Sequence, residues 1–420
     1  MFLSTISIAI VLLTILLLVK RYETRMVLFC SGLVLCILSN DTASAFKAFS
    51  NYMTSANLIM AICSSMGFAM VMKYTKCDIN LVQLLTKPLS KLGFFLIPTA
   101  VIVTYAINIA IPSAAGCAAA VGATLIPLLI SSRVHPAIAG SAVLCGTIGS
   151  LLSPGLSHNP FVAEMAKLNV VDLIIRHSPY SITVGFIAAI SLTFIAYIRK
   201  EFNLDNVIKQ ESNKDLVNIK PNIFYAIAPF VPLVILVVAN LNIIPNLKVN
   251  VPTAMVLGTI YALAVTRLSP NEGTKSFFKG MGDAYGGILG IIIAAAVFSQ
   301  GLKSSGLIEQ FISILINHPH LARWGGTLGP FFMGIMTGSG DAAAYAFNST
   351  VTLKATLLGY QIPDLGMAVA ISGALGRTMS PIAGSVIVCA GIAGVSPFEL
   401  AKRTALGMIL SVLFIATCML

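Results

Sequence analysis

The chain has 420 residues, of which 57% are hydrophobic and only 10% charged; soluble domains carry about 25% charged residues. That composition excludes a soluble globular enzyme and describes a polytopic, all-α membrane protein. A net charge of +11 would suit nucleic acid, but the basic residues lie in clusters between apolar runs, as loops on one side of a bilayer do.

In chain order, the first expected span is Phe2–Val19, with Lys20 and Arg21 after it and no basic residue before it. That is the reverse of a cleavable signal peptide, so the run reads as an uncleaved helix. Further spans are expected at 26–40 and 56–72, then an amphipathic stretch at 78–90. Residues 93–130 form a long apolar segment interrupted at Pro112–Gly116, which reads as a helical hairpin with a small-residue tip. Residues 140–166 form a helix broken from Ser153 to Asn159, and 180–198 closes the first half. A polar stretch, 199–221, reads as a cytoplasmic linker between residues 1–198 and 222–420. The second half repeats the order, with spans near 224–243, 251–267 and 286–302 and a hairpin at 327–358, its tip at Thr337–Asp341. A broken helix at 366–395, interrupted from Ser380 to Ser385, and a span at 404–420 complete it.

The halves match at a shift of 227 residues: Gly146, Gly149, Ser153 and Pro154 fall on Gly373, Gly376, Ser380 and Pro381, and Arg176 falls on Arg403. Each half has three scaffold spans, a re-entrant hairpin, a broken helix and a closing helix. The hairpin enters and leaves on one side, so each half crosses an odd number of times and the two insert as inverted repeats. Of 26 basic residues, 18 then lie on the cytoplasmic side, with both termini on the outer face. The eight cysteines show no CxxC spacing and read as packing residues without disulfide or metal. His318 and His320 have a metal-like spacing, but two ligands in a loop make no site, and no cofactor is expected.

Broken backbone cannot face lipid, since unpaired amides and carbonyls there cost several kcal/mol each. The four interruptions therefore meet one another or line a wet cavity, with half-helix N-termini suited to a small anion. Ser113, Ser153, Ser157, Ser380 and Ser385, with Asn159 and Asn348, supply neutral donors, although small residues also serve plain helix packing. Arg377 stands inside an apolar helix just before the second break, and its counterpart is Ser150. An intramembrane arginine marks a functional site by default, and its planar fork fits a carboxylate; the alternative is a structural pair with Asp341. Asp341, opposite Ala114 in the repeat, is a candidate for a coupling cation or proton, or a helix cap. His158 is a donor or proton carrier, whereas Glu164 reads as structural.

Two other functions fit parts of the pattern. Gly338–Asp341 matches the GxGD motif of intramembrane aspartyl proteases, but that chemistry needs a second aspartate close enough to share a proton, and Asp283 is poorly placed. A cation/proton antiporter would need several intramembrane carboxylates.

The motifs LLSPGLSHN (151–159), TGSGDAAAYAFN (337–348) and GRTMSPIAGS (376–385) resemble the anaerobic four-carbon dicarboxylate carriers of the Dcu type, C subtype, within the ion transporter superfamily. Relatives of the same plan carry gluconate, citrate or other anions. The resemblance implies a secondary carrier rather than an enzyme, moving succinate, fumarate and malate across the bacterial inner membrane by uptake, exchange or efflux. It also implies a homodimer whose hairpins and broken helices move, elevator-like, against a scaffold. It puts the site at Ser113, Ser153 to Asn159, Gly338 to Asp341 (thus Ser339) and Ser380 to Ser385. Where relatives have Ser-Asn-Thr at the tips, this chain has Pro-Ser-Ala and Gly-Ser-Gly-Asp, so a proton on Asp341 stands beside Na+ as the coupling ion.

Overall fold

Apolar sequence satisfies its backbone inside helices, and the computed structural model, which describes residues 2–20, 22–86, 95–202, 221–240, 249–307, 310 and 319–420, is helical nearly throughout with no strand among those residues. The chain opens with α1 (Phe2–Val19), α2 (Thr24–Leu38), α3 (Thr42–Met53), α4 (Ala56–Thr75) and α5 (Cys77–Thr86). Helices α1, α2 and α4 are the three expected spans. Helix α3 was not expected, because Lys47, Ser44, Ser50 and Asn51 interrupt its apolar pattern; it is held by packing against a later helix. The rest of the 78–90 stretch, most of the linker 199–221, and His318 lie outside the described residues.

Helices α6 (Leu96–Ala110) and α7 (Ala114–Ser131) form the first hairpin, followed by α8 (Pro136–Gly146), a tight turn at Gly149–Leu152, α9 (His158–Ala166) and α10 (Val170–Ile198). In the second half come α11 (Ile223–Ile227), α12 (Val231–Asn240), α13 (Val251–Thr266), α14 (Pro270–Ala284) and α15 (Gly290–Ser304). The second hairpin is α16 (Pro319–Thr337) and α17 (Gly340–Thr350), and the second broken helix is α18 (Ile362–Met379) and α19 (Gly384–Ala393), before α20 (Pro397–Phe414). The broken helices start a turn earlier than expected, at Pro136 and beside Pro363, because proline is favoured in the first helical turn. The closing helix α10 starts ten residues early, where Asn169 accepts a cap bond from the Val171 amide at 3.2 Å. Six helical stretches, Leu58–Thr75, Ala114–Ser131, Val170–Ile198, Pro270–Ser304, Ile362–Ala393 and Pro397–Met419, are long and apolar enough to cross a membrane.

The halves interlock. Helix α2 of the first half lies along α15 of the second, and α13 of the second lies along α4 of the first. In the same way α7 packs on α19. The main apolar core draws on both halves, from Val121, Leu125 and Ile138 to Ile371, Val386 and Met408.

The breaks are gripped in matched ways. A Cβ added to Gly149 would lie 2.0 Å from the Tyr105 carbonyl oxygen, and one on Gly376 would lie 2.0 Å from that of Phe331. Only glycine lets each broken helix touch its hairpin arm so closely. Each hairpin tip also meets its own break, Pro112 against Gly155 and Gly338 against Ile382. These pairs correspond under the sequence shift to within one residue.

Candidate functional site

The break between α8 and α9 at Ser153–Ser157 places His158 and Asn159 in the first turn of α9. The break is stiffened from within. The Asn159 amide nitrogen donates to the carbonyls of Leu151 at 2.9 Å and Ser153 at 2.8 Å, and the Ser153 hydroxyl accepts from the Gly155 amide at 3.3 Å. At the second break the Ser380 hydroxyl donates to the Ile335 carbonyl at 2.7 Å. Asn159 and Ser380 therefore spend donors on backbone, as does Asn348, whose amide donates to the Gly366 carbonyl at 3.1 Å.

Three charged or titratable residues converge across the halves. His158 Nε2 lies 2.9 Å from Asp341 Oδ1 at the start of α17, joining the first break to the second hairpin. The histidine side chain is 3% exposed while that of Asp341 is 53% exposed, although protein surrounds the carboxylate on a wider scale. Asp341 thus offers an accessible carboxylate beside a buried imidazole. Arg377, at the end of α18, lies within electrostatic range of Asp341. It makes no ion pair or side-chain hydrogen bond among the described residues, and its buried Nε has no partner. The expected alternative, a closed Arg377–Asp341 pair, is not formed.

Tyr345 completes the cluster and was not singled out in the sequence. It is fully buried, its hydroxyl is hydrogen-bonded to Ser157 Oγ, and its ring lies 4.5 Å from the His158 ring at 31°. The signal was available in the spacing: Tyr345 is one helical turn after Asp341, so both side chains share a face of α17.

Further polar atoms face the breaks without partners: His158 Nδ1, Asn159 Oδ1 and the Ser385 hydroxyl. Buried polar atoms are normally satisfied, and clustered exceptions call for a ligand or water. Ser339 precedes α17 without a side-chain cap bond, while its amide donates to Thr337 Oγ1 at 3.1 Å. Ser113 is exposed and caps α7, accepting from the Gly116 amide at 3.1 Å. No hydrogen bond joins Ser113 or Ser153 to Arg377 among the described residues, and Ser153 lines a cleft with Pro112, Gly155, Ser65, Phe68 and Pro232 between the first break and the scaffold. Among the described residues the charged or titratable neighbours of Asp341 are a histidine and an arginine, whereas aspartyl-protease chemistry needs a second aspartate. No group of three or more metal-ligating side chains is present among the described residues.

Comparison with known proteins bears on the family and the fold. A Haemophilus influenzae protein described only as an uncharacterised transporter is 49% identical over 279 residues, 64% of this chain and all of that protein. A Vibrio cholerae relative, named as a probable anaerobic C4-dicarboxylate transporter, is 28% identical over 433 residues, covering 93% of this chain and 92% of its own. The Escherichia coli K12 transporter of that name is 24% identical, covering 94% and 92%. Among solved structures, Neisseria gonorrhoeae MtrF, from a class of antimetabolite efflux pumps, superposes with a TM-score of 0.67 at 14% identity over 90% of this chain and 83% of its own. The Alcanivorax borkumensis YdaH transporter superposes at 0.61, also at 14% identity, over 96% and 97%; at such identity these two speak for the fold alone. Residues 2–420 match the family described as the C4-dicarboxylate anaerobic carrier, and the chain belongs to that DcuC family of transporters.

Proposed function

We propose that this protein is a secondary carrier of succinate, fumarate and malate in the bacterial inner membrane, with Arg377 as the clamp for one substrate carboxylate. The observation that carries this reading is Arg377 at the second break, whose buried Nε has no partner and which makes no ion pair among the described residues. A desolvated, unpaired charge is costly, so the fold retains it for an anion that comes and goes. Ser385 and the free amides at the start of α19 lie just beyond the break and complete the cradle, helped by the half-charge of a helix N-terminus. In this reading Ser157, His158 and Asn159 contribute from the first break, and Ser339 from the second tip.

Charge balance supports a coupling role for Asp341 with His158. A dianion brings two negative charges to one arginine, and an ionised Asp341 adds a third. A proton or Na+ at the Asp341–His158 pair offsets that excess and makes the loaded site easier to move through a low-dielectric barrier. The moving unit in this reading is the pair of hairpins and broken helices together with the closing helices α10 and α20 that pack on them, shifting against a dimeric scaffold formed by the other spans. Inverted repeats with both termini on the periplasmic face support alternating exposure, and the matched tip-to-break contacts fit that symmetry.

Counterflow in proteoliposomes tests the reading. Labelled succinate or fumarate should accumulate against unlabelled dicarboxylate, and Arg377→Met should abolish it. Failure of the wild-type protein to move any four-carbon dicarboxylate under Na+ or proton gradients would overturn the substrate class.

A further inference from the structure

Far from the breaks, two arginines hold the starting ends of the broken helices. Arg176 stands on the second turn of α10 in the first half, yet its partners belong to the second half. Its Nε donates to Asp364 Oδ1 at 2.6 Å, and its Nη2 donates to Asp364 Oδ2 and Gln361 Oε1, each at 2.8 Å. Gln361 is the residue before α18 and Asp364 lies in its first turn. The carboxylate sits where free helix amides favour negative charge, and the paired oxygens match the guanidinium fork.

Arg403 occupies the corresponding place in α20 and reaches the other way. Its Nε donates to Glu201 Oε2 at 2.8 Å, a second bond runs from Nη2 to Glu201 Oε1, and Nη1 donates to Glu399 Oε2 at 2.7 Å. Glu201 follows the end of α10, and its carbonyl accepts the His135 amide at 2.8 Å, immediately before α8 begins. Arg403 is only 3% exposed, a burial that two facing carboxylates make tolerable.

The arginines correspond under the 227-residue shift, but their cross-half acids do not, since position 137, facing Asp364 in the shift, is alanine. The same tie is therefore made twice from different partners, which simple duplication does not produce. Both ties are closed in one conformation, unlike gates that open in turn. Asp364 is thirteen residues from Arg377 on one helix, about 20 Å at 1.5 Å per residue. The tie thus holds the far end of the helix that carries the clamp.

We propose that Arg176 and Arg403 are positioning residues: permanent ties that fasten the start of each broken helix to the opposite half, so that the two breaks travel as one body. The proposal rests on the moving-unit reading above but not on which anion is carried. On that reading the ties lie at opposite membrane faces.

The half-exposed Arg176 tie is the one to test, with counterflow rate and dicarboxylate binding by thermal shift measured on the same full-length preparation. Arg176→Gln and Asp364→Asn should each lower Vmax on the order of tenfold while KM and binding stay within about twofold. The exchanged pair Arg176→Asp/Asp364→Arg should recover a substantial part of the rate, which a generally misfolded variant would not. In Arg176→Cys/Asp364→Cys, bridging the two thiols with a short bifunctional reagent should leave turnover at or above that of the unbridged variant. A wild-type Vmax in Arg176→Gln, a rise in KM alone, or arrest of turnover by the bridge would each overturn the tie; the last would make the contact a gate. Absence of dicarboxylate binding to the wild-type protein would instead count against the substrate reading and leave the rate comparison standing for whichever anion is carried.

Discussion

Replacing Arg377 by methionine separates the two roles that an intramembrane arginine can have. If Arg377 were half of a structural ion pair, its loss would strand a buried carboxylate and destabilise the fold by roughly 3–5 kcal/mol. The structure shows no such pair: Nε is buried without a partner, and Asp341 is engaged by His158. Removing the guanidinium therefore relieves desolvation, and the empty Arg377→Met carrier should melt at or above the wild-type temperature. Substrate binding should respond in the opposite sense. Truncating one partner of a buried, hydrogen-bonded charge pair costs about 2–5 kcal/mol, and each 1.4 kcal/mol is about tenfold. A loss on the order of a hundredfold or more in succinate affinity is expected. Arg377→Lys keeps the charge but loses the planar fork, and should fall between, near tenfold. The assay is a thermal melt of purified protein with and without succinate, beside counterflow in proteoliposomes. A melt lowered by many degrees with affinity intact would refute the clamp and establish a structural arginine.

Other consequences follow from the same geometry. Asp341→Asn should retain dicarboxylate exchange while losing its dependence on the driving ion, measured as uptake under proton or Na+ gradients; unchanged gradient dependence would exclude Asp341 as the coupling group. Tyr345→Phe removes the hydroxyl on Ser157 but keeps the ring against His158; it should cost about 1 kcal/mol, read as a small drop in melting temperature. Gly376→Ala drives a Cβ into the Phe331 carbonyl and should destabilise by about 1–3 kcal/mol, whereas alanine at Gly391, which has open space around it, should not. Burial holds the His135 imidazole below its usual range, and its Nδ1 accepts the Ala137 amide at 3.1 Å. A base with a depressed folded value contributes stability that is present above the ordinary value of about 6.5 and is lost as pH falls below it. Melting temperature should therefore decline on acidification through that range, and His135→Asn should flatten the decline.

Much of the fold was legible because its determinants are local. Runs such as Phe2–Val19 and Val251–Thr266 satisfy every backbone group within one segment, the condition that a bilayer imposes. The breaks were legible as well, since Ser153-Pro154 and Ser380-Pro381 cannot continue a helix, and the echo between them marked both. Arg377 stood out by its cost alone. Helix α3 did not, because its place depends on a surface that α15 offers from 250 residues away in the chain.

Side-chain partnership was another matter. Sequence alone determined that this chain is a helical membrane protein with polar interruptions that match at a shift of 227 residues, with Asp341 and Arg377 in the second half. Only the tertiary structure decided that Asp341 turns to His158 rather than to Arg377, and that Tyr345 holds that histidine. It likewise decided that Arg176 and Arg403 reach across the halves. Helix formation depends on neighbours within a few residues, whereas an ion pair between residues 188 apart depends on how whole helices pack. Periodicity carries the first kind of information and not the second.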